Sequence, residues 1–379
     1  MSAEVTGAVC TWLRTGDDFF SAVVSAVDAA AEAVCLETYI YAAGQPGERL
    51  RDALVNARKR GARVRVLVDA LGSYWLPTGF WQPLQAAGGE VRQFNPLAFH
   101  RLGFRDHRKL VVCDDRVAFV GGFNIAPEYA GDGVTRGWCD LGLRIEGPLA
   151  MRLAATFDDM FERADFRHKR FMRLANLGAR QPRLAPEEQL LLSGPGLGRN
   201  PIKRALQRDL AKAASVHIMV AYFLPPLRLR RRLIRLARRG AQVELILAGK
   251  SDVTVSWLAA RSLYRRLLKG GVLLHEYQPQ ILHAKLFIID DTVYVGSANL
   301  DLRSFHINYE LMLRLRSPEL AAQARELFRA TLTHCHRLSF EEWCSSRSLW
   351  FRIKARLAYF LLVRVDPYLA RRQWRALPD

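Results

Sequence analysis

The feature that most constrains the fold of this chain is an internal duplication. In each copy an amphipathic helical pattern ends at a glycine, and an apolar β-rich run follows at once. The first such stretch spans 48–70 and contains Gly61, and the second spans 228–249 and contains Gly240, 179 residues later. Short strands alternating with helices favour an α/β fold with a largely parallel sheet in each copy.

The duplication predicts two similar lobes, each a mostly parallel sheet flanked by helices. We expect the N-terminal lobe at 1–165 and the C-terminal lobe at 202–340. Between them, 166–201 is polar, basic and rich in turn residues, and reads as a connecting segment. The remaining 341–379 is predicted to be a basic amphipathic tail on a membrane surface. Residues duplicated in both lobes would form a pseudo-twofold site between them.

A chemically distinctive motif occurs in both copies. His107 and Lys109 in the first copy correspond to His283 and Lys285 in the second. This spacing puts both side chains on one face of a strand, where lysine supplies positive charge and imidazole can attack phosphorus or pass a proton. Each pair is followed by an aspartate and then by a glycine-rich corner with an asparagine, which lets backbone and amide approach phosphate oxygens: Asp114, Gly122 and Asn124 in the first copy, Asp290, Ser297 and Asn299 in the second. One copy alone is compatible with a surface pair, but two full copies argue against coincidence.

The double motif resembles the signature of the phospholipase D superfamily, over about 35–328. The details look closest to bacterial cardiolipin synthases of the short type that lacks N-terminal membrane helices. They include the stretches 36–38, 221–225 and 296–304, and Gly122 where most copies of the motif have serine. The resemblance implies two phospholipase D-like lobes, one active site made from both motifs, a phosphohistidine intermediate, and no cofactor or metal.

By this resemblance His107 is the nucleophile and His283 the general acid and base. The residues implied to bind and stabilise the phosphate oxygens are Lys109, Lys285, Asn124, Asn299, Gly122 and Ser297. Asp114 and Asp290 complete the catalytic motifs as structural partners. Asp140 and Glu310 follow the two motifs where family members place the carboxylate that orients the motif histidine, although ordinary surface acids would look the same.

The second motif departs from the family pattern in one respect. Five residues separate Asp290 from Gly296, whereas six separate Asp114 from Gly121. A deletion in a hairpin either changes its turn or reverses the faces of the residues beyond it. Remodelling of the turn near 291–292 would absorb the deletion; without it, Ser297 and Asn299 would be displaced.

The charge indicates a polyanionic partner, either nucleic acid or an anionic bilayer. Lys+Arg 56 against Asp+Glu 37 gives a net charge of +19, although a high-arginine background would give the same surplus. Aromatic loops at 71–81 and 97–104 suit a membrane interface, lipid chains or base stacking, or pack beneath the loops. The tail carries apolar residues at helical spacing, a pattern that is compatible with either an interfacial helix or a core helix: Trp350, Ile353, Leu357, Phe360 and Leu361.

We therefore expect phosphatidyl transfer between two phosphatidylglycerol molecules, which releases glycerol; phosphatidylethanolamine is the alternative donor. The expected partners are anionic phospholipids and the membrane surface, with no nucleic acid. The six scattered cysteines indicate free thiols in a reducing compartment, and His334-Cys335-His336 lacks a second ligand pair for a metal. With no signal peptide or long apolar run, the expected location is peripheral, on the cytoplasmic face of the bacterial inner membrane. The alternatives are a hydrolase or nuclease with water as acceptor, and a binding protein with a dead site.

Overall fold

The computed structural model describes residues 1–97, 103–165, 187–195 and 200–376. Most of the predicted connection at 166–201 lies outside the described residues, as do Phe99 and Leu102 of the second aromatic loop. No helix among the described residues combines the length and the apolar character needed to cross a bilayer.

The first lobe is built on one sheet. Its strands are β1 (Ser2–Val5), β2 (Ala8–Leu13), β3 (Ala33–Thr38), β4 (Arg63–Asp69), β5 (Glu90–Phe94), β6 (Leu110–Cys113), β7 (Val117–Gly121) and β8 (Gly142–Glu146). Its helices are α1 (Gly16–Ala29), α2 (Gln45–Lys59), α3 (Gln82–Ala86) and α4 (Pro148–Glu162), with a 3-10 turn at Pro127–Tyr129.

The second lobe repeats this plan. Its strands are β9 (Glu188–Ser193), β10 (Ser215–Val220), β11 (Gln242–Ala248), β12 (Leu273–Tyr277), β13 (Lys285–Ile289), β14 (Thr292–Gly296), β15 (Glu310–Arg316) and β16 (Cys335–Leu338). Its helices are α5 (Pro201–Asp209), α6 (Leu227–Ala237), α7 (Thr254–Lys269), α8 (Leu302–His306) and α9 (Pro318–Leu332). The tail follows as α10 (Phe340–Ser345), α11 (Leu349–Phe360), a π-helical turn (Leu361–Val365) and α12 (Asp366–Ala376).

The α/β class with two similar lobes is confirmed, but the sheets are mixed rather than mostly parallel. Among the described residues the strand order is β1-β2-β8-β7-β6-β3-β4-β5 in one sheet and β16-β12-β11-β10-β13-β14-β15-β9 in the other. Between the described neighbouring strands of the two sheets, parallel pairing is confined to β3-β4-β5 and to β10-β11-β12, where helices provide the crossovers. Strands β6-β7 and β13-β14 are joined by tight turns, which can connect only antiparallel neighbours.

The one-residue deletion in the second motif is accommodated in the turn of its hairpin, which is the first of the two alternatives. Three residues separate the last paired positions of β6 and β7, and two separate those of β13 and β14. Beyond the turn the register is the same, since Leu110 pairs with Val120 and Leu286 with Val295. The glycine corners that follow therefore occupy equivalent positions.

The two lobes share a core. One hydrophobic cluster contains side chains of α4 and α9 together with strands of both sheets, including Phe157, Met160, Leu327 and Phe328. Each lobe has a further core on its outer side. The inner faces of the lobes are thus fixed against each other, and this fixes the two motif strands relative to one another.

Candidate active site

The two motifs meet across the pseudo-twofold axis through backbone hydrogen bonds. The His107 N–H donates to the Tyr309 carbonyl oxygen (3.0 Å), and the His283 N–H donates to the Cys139 carbonyl oxygen (2.7 Å). Tyr309 and Cys139 immediately precede Glu310 and Asp140 in sequence. Each motif histidine is therefore held beside the acid of the opposite lobe.

The histidine–acid pairs cross between lobes. His107 Nδ1 lies 3.1 Å from Glu310 Oε2, and His283 Nδ1 lies 2.6 Å from Asp140 Oδ2. All four side chains are buried. A carboxylate at Nδ1 favours the tautomer with its proton there, which leaves the Nε2 lone pair of each imidazole available for chemistry.

Burial and neighbouring lysines keep both imidazoles neutral near neutral pH. Burial lowers the pKa of His107 well below its ordinary value, and the charges of Lys109 and Lys285 lower it further. Burial and the charge of Lys285 lower the pKa of His283 to about 4. Burial also raises the pKa of Glu310 to about 7. A neutral imidazole is the form that acts as nucleophile or base.

Two buried lysines bring positive charge to the site. Lys109 Nζ donates to the His107 carbonyl oxygen (2.8 Å), and Lys285 Nζ lies 2.9 Å from His283 Nε2. Burial, with the charge of Lys285, lowers the pKa of Lys109 to about 7, and burial lowers that of Lys285 to about 8. Keeping both lysines protonated in the empty site therefore costs free energy, and a bound anion would reduce that cost.

The corner residues Gly122 and Ser297 contact the acids rather than the cavity. The Ser297 hydroxyl donates to Glu310 Oε2 (2.5 Å). A Cβ at Gly122 would lie 2.1 Å from Asp140 Oδ1, so the absence of a side chain gives that carboxylate its space. Neither residue is among those that line the cavity, and their contribution to phosphate binding stays a prediction.

Asn124 and Asn299 line the cavity between the lobes. Asn124 Oδ1 accepts from the Ile40 N–H (3.1 Å), and its Nδ2 donates to the Tyr129 hydroxyl (2.6 Å). Asn299 Oδ1 accepts from the Tyr222 N–H (3.4 Å). These hydrogen bonds fix both amides at the cavity wall.

Asp114 and Asp290 lie outside the site, at the turn end of the motif hairpins. The Asp114 carboxylate accepts from the N–H groups of residues 31–33, and the Asp290 carboxylate from those of 214 and 215. At about 3.3 Å per strand residue, Asp114 stands about 16 Å from Lys109. Both aspartates therefore tie their hairpin to the start of the neighbouring strand.

The cavity has a volume of about 420 Å³ and is lined by both motif histidines. Aromatic side chains that sequence reasoning did not assign surround them. The ring of Tyr39 lies 5.1 Å from that of His107, and the rings of Tyr129 and Trp138 lie 5.2 and 5.6 Å from that of His283. Tyr39 and Tyr222 follow β3 and β10 in sequence. The rule that ligands bind beyond the carboxyl ends of parallel strands is the signal that would have identified them.

A buried ionic cluster supports the first motif only. Arg108 Nη2 lies 3.1 Å from Glu37 Oε2 and donates to Thr156 Oγ1 (2.7 Å). Burial raises the pKa of Glu37, and burial together with the charge of Glu37 raises that of Asp106 well above its ordinary value. The equivalent positions in the second lobe are buried and apolar: Met219, Leu282 and Ala284.

Two lobes that contribute one His-x-Lys motif each to a shared site define a phospholipase D-like fold. Residues 23–164 and 206–332 match the family described as "Cardiolipin synthase, PLD-like domain". The chain is 32% identical over 360 residues to the major cardiolipin synthase ClsA of Bacillus subtilis, which covers 92% of this chain and 74% of that one. It is 33% identical over 363 residues to cardiolipin synthase B of Salmonella typhimurium, covering 92% and 86%.

Among solved structures, the phosphatidylserine synthase of Haemophilus influenzae Rd KW20 matches with a TM-score of 0.74 and 15% identity, over 95% of this chain and 94% of that one. At this identity the likeness shows a shared fold alone. The family match and the relatives go further: the chain belongs to the cardiolipin synthases of the phospholipase D superfamily, which are phosphatidyltransferases.

Proposed function

We propose that this protein makes cardiolipin from two molecules of phosphatidylglycerol through a phosphatidyl group held on His107. The observation that carries the proposal is the pair of crossed histidine–acid contacts, which present two neutral imidazoles to one cavity. Family membership supports the phosphatidyl group as the unit transferred.

In the first step His107 Nε2 attacks the phosphorus of a bound phosphatidylglycerol. The N–P bond forms as the P–O bond to the glycerol headgroup breaks, and Glu310 stabilises the imidazolium through Nδ1–H. The glycerol oxygen takes a proton from Nε2 of His283. The anionic phosphodiester and Asp140 favour the protonated state of His283 when the lipid is bound.

In the second step the acceptor is a glycerol hydroxyl of a second phosphatidylglycerol. His283 Nε2 takes the hydroxyl proton while the alkoxide oxygen attacks phosphorus, the N–P bond breaks and cardiolipin leaves. Lys109 and Lys285 stabilise the charge on the non-bridging oxygens in both steps, and the amides of Asn124 and Asn299 orient them.

Water as acceptor, in a hydrolase or nuclease, is the main alternative. The cavity wall includes Leu71, Val253, Leu302, Leu362 and Val363. Aliphatic side chains suit the glycerol backbone and proximal acyl carbons of a lipid. This favours a lipid phosphodiester as the substrate. We propose separately that the reaction takes place at the cytoplasmic face of the membrane.

Labelled phosphatidylglycerol and labelled DNA, offered separately to His107→Ala, His283→Ala and a matched control, test the assignment. The control is His336→Ala, because His336 is exposed and paired with Glu342. We expect the control to form cardiolipin and His107→Ala to form no product. We expect His283→Ala to form little product from phosphatidylglycerol and to accumulate a phosphatidyl adduct from a lipid with a good leaving group, which needs no protonation by His283. An adduct trapped in His107→Ala would reverse the two roles, and normal turnover in both variants would reject the shared site.

A further inference from the structure

Exposed apolar side chains from three segments border the cavity mouth. Leu71 lines the cavity, and its loop carries Tyr74 and Trp75, the latter 87% exposed. Val253 lines the cavity at the start of α7, where Val255 is also exposed. The tail reaches the cavity through Leu362 and Val363, and it carries the largest group of exposed apolar side chains: Leu349, Trp350, Ile353, Leu357, Phe360, Leu361, Tyr368 and Leu369. An apolar rim of this extent indicates an interaction site.

The tail has two faces, and only one is used by the fold. Ala355 and Ala358 are buried, and Phe351, Tyr359 and Leu362 pack against the core of the second lobe. The opposite face carries an exposed apolar stripe, called the tail stripe, which consists of Leu349, Trp350, Ile353, Leu357, Phe360 and Leu361. Trp350 is 73% exposed. Helix α11 is therefore a packed helix that also bears an apolar face left exposed by the part of the chain that the structure describes.

The tail is fastened to both lobes, so that this face has a fixed direction relative to the cavity. Its π-helical turn reaches the mouth, where Leu362, Val363 and Asp366 form part of the wall. Arg303 of the second lobe donates to Asp366 (2.6 Å), and the Gly103 N–H of the first lobe donates to Gln373 Oε1 (2.9 Å).

The charged residues beside the stripe indicate which kind of partner binds there. Arg352, Lys354, Arg356 and Arg364 are exposed beside it, whereas Asp366 is paired with Arg303. Aliphatic and aromatic side chains ringed by cations match hydrocarbon beneath anionic headgroups. The leucines and the isoleucine in the stripe provide neither aromatic rings for base stacking nor hydrogen-bonding groups for a nucleic acid.

We propose that the rim and the tail stripe together dock on an anionic bilayer, with the cavity mouth opening onto the membrane. A lipid headgroup then reaches His107 while its acyl chains stay in the bilayer. The identity of that lipid rests on the proposed function, but the membrane contact itself does not.

The charge part of the proposal is tested by sedimentation with vesicles of phosphatidylglycerol and phosphatidylcholine. Lys354→Gln/Arg356→Gln/Arg364→Gln is compared with Arg235→Gln/Arg238→Gln/Arg239→Gln, which removes the same charge from the exposed end of α6. We expect the tail variant to bind anionic vesicles about a hundredfold more weakly than the α6 variant. Equal binding by both variants would overturn the proposal.

The apolar part is tested with Trp75→Ser/Trp350→Ser against Met151→Ser, which changes an exposed side chain of α4. Tryptophan quenching by brominated lipids should be lost in the first variant only, while turnover of a monomeric short-chain phosphatidylglycerol stays unchanged in both. Unchanged quenching, or loss of self-association in place of vesicle binding, would overturn the proposal. Vesicle binding through this face without cardiolipin formation would support it and reject the proposed function.

Discussion

Arg108→Met should lower the free energy of unfolding by about 3–5 kcal/mol, because it leaves the buried carboxylate of Glu37 without its counter-ion. Both side chains of the pair are fully buried, so water cannot replace the guanidinium. Unfolding entropy of roughly 2.1 cal/mol/K per residue gives roughly 0.8 kcal/mol/K for 379 residues. The expected fall in Tm is therefore about 4–6 °C.

The double variant Glu37→Met/Arg108→Met should recover most of this loss. Met219 occupies the position in β10 that Glu37 occupies in β3, and it is buried in the second lobe. Replacing a buried ion pair by apolar side chains of similar volume is near neutral in free energy. Removing Glu37 also relieves the repulsion that helps to raise the pKa of Asp106.

Calorimetric unfolding of the wild type, the single variant and the double variant separates these effects. Arg116→Met is the control, because Arg116 forms an ion pair with Glu32 on the surface, where such pairs contribute little. If the single and double variants lose the same free energy, the cost comes from lost packing rather than from an uncompensated charge, and the reasoning fails.

Three further predictions concern the site. The pKa values of Lys109 and Lys285, about 7 and 8, should rise when an anion binds. The affinity for sulfate, measured by calorimetry, should therefore be highest below pH 7 and decrease as pH rises, and an affinity that does not change with pH would contradict this. Gly122→Ser should displace Asp140 and reduce kcat on a short-chain lipid far more than KM, because its Cβ would lie 2.1 Å from Asp140 Oδ1; unchanged kcat would show that the carboxylate is not required there. Activity should survive EDTA, since the lysines supply the positive charge that a metal would provide, and loss restored by Mg²⁺ or Zn²⁺ would contradict it.

The duplicated chemistry was predictable from sequence because both copies carry the His-x-Lys pair, the aspartate and the glycine corner in the same order, with only one residue fewer between Asp290 and Gly296. The pairing of each acid with the histidine of the opposite lobe was not predictable. Spacing places Asp140 after His107 along the chain, but only the packing of the lobes through α4 and α9 decides that Asp140 contacts His283. The antiparallel pairing of the motif strands was missed for a related reason, since apolar runs alone do not specify strand direction.

The tail shows a different limit. Helical periodicity identified the residues Trp350 to Leu361, but it could not distinguish a packed helix from an exposed one. The structure has both, because the small residues Ala355 and Ala358 allow α11 to approach the second lobe while the large ones face outward. The roles of Ser297 and Gly122 were also beyond sequence reasoning, since they depend on contacts across the hairpins with Glu310 and Asp140.

The crossed histidine–acid pairs carry a consequence for how such a chain arises. Half of the chain, expressed alone, would hold a histidine without its acid and an acid without its histidine. A single-copy ancestor with this arrangement needs two identical chains about a twofold axis to complete one centre. Fusion of the two copies removes the requirement for identity, and the halves are then free to diverge: Asp140 with Gly122 in one, Glu310 with Ser297 in the other.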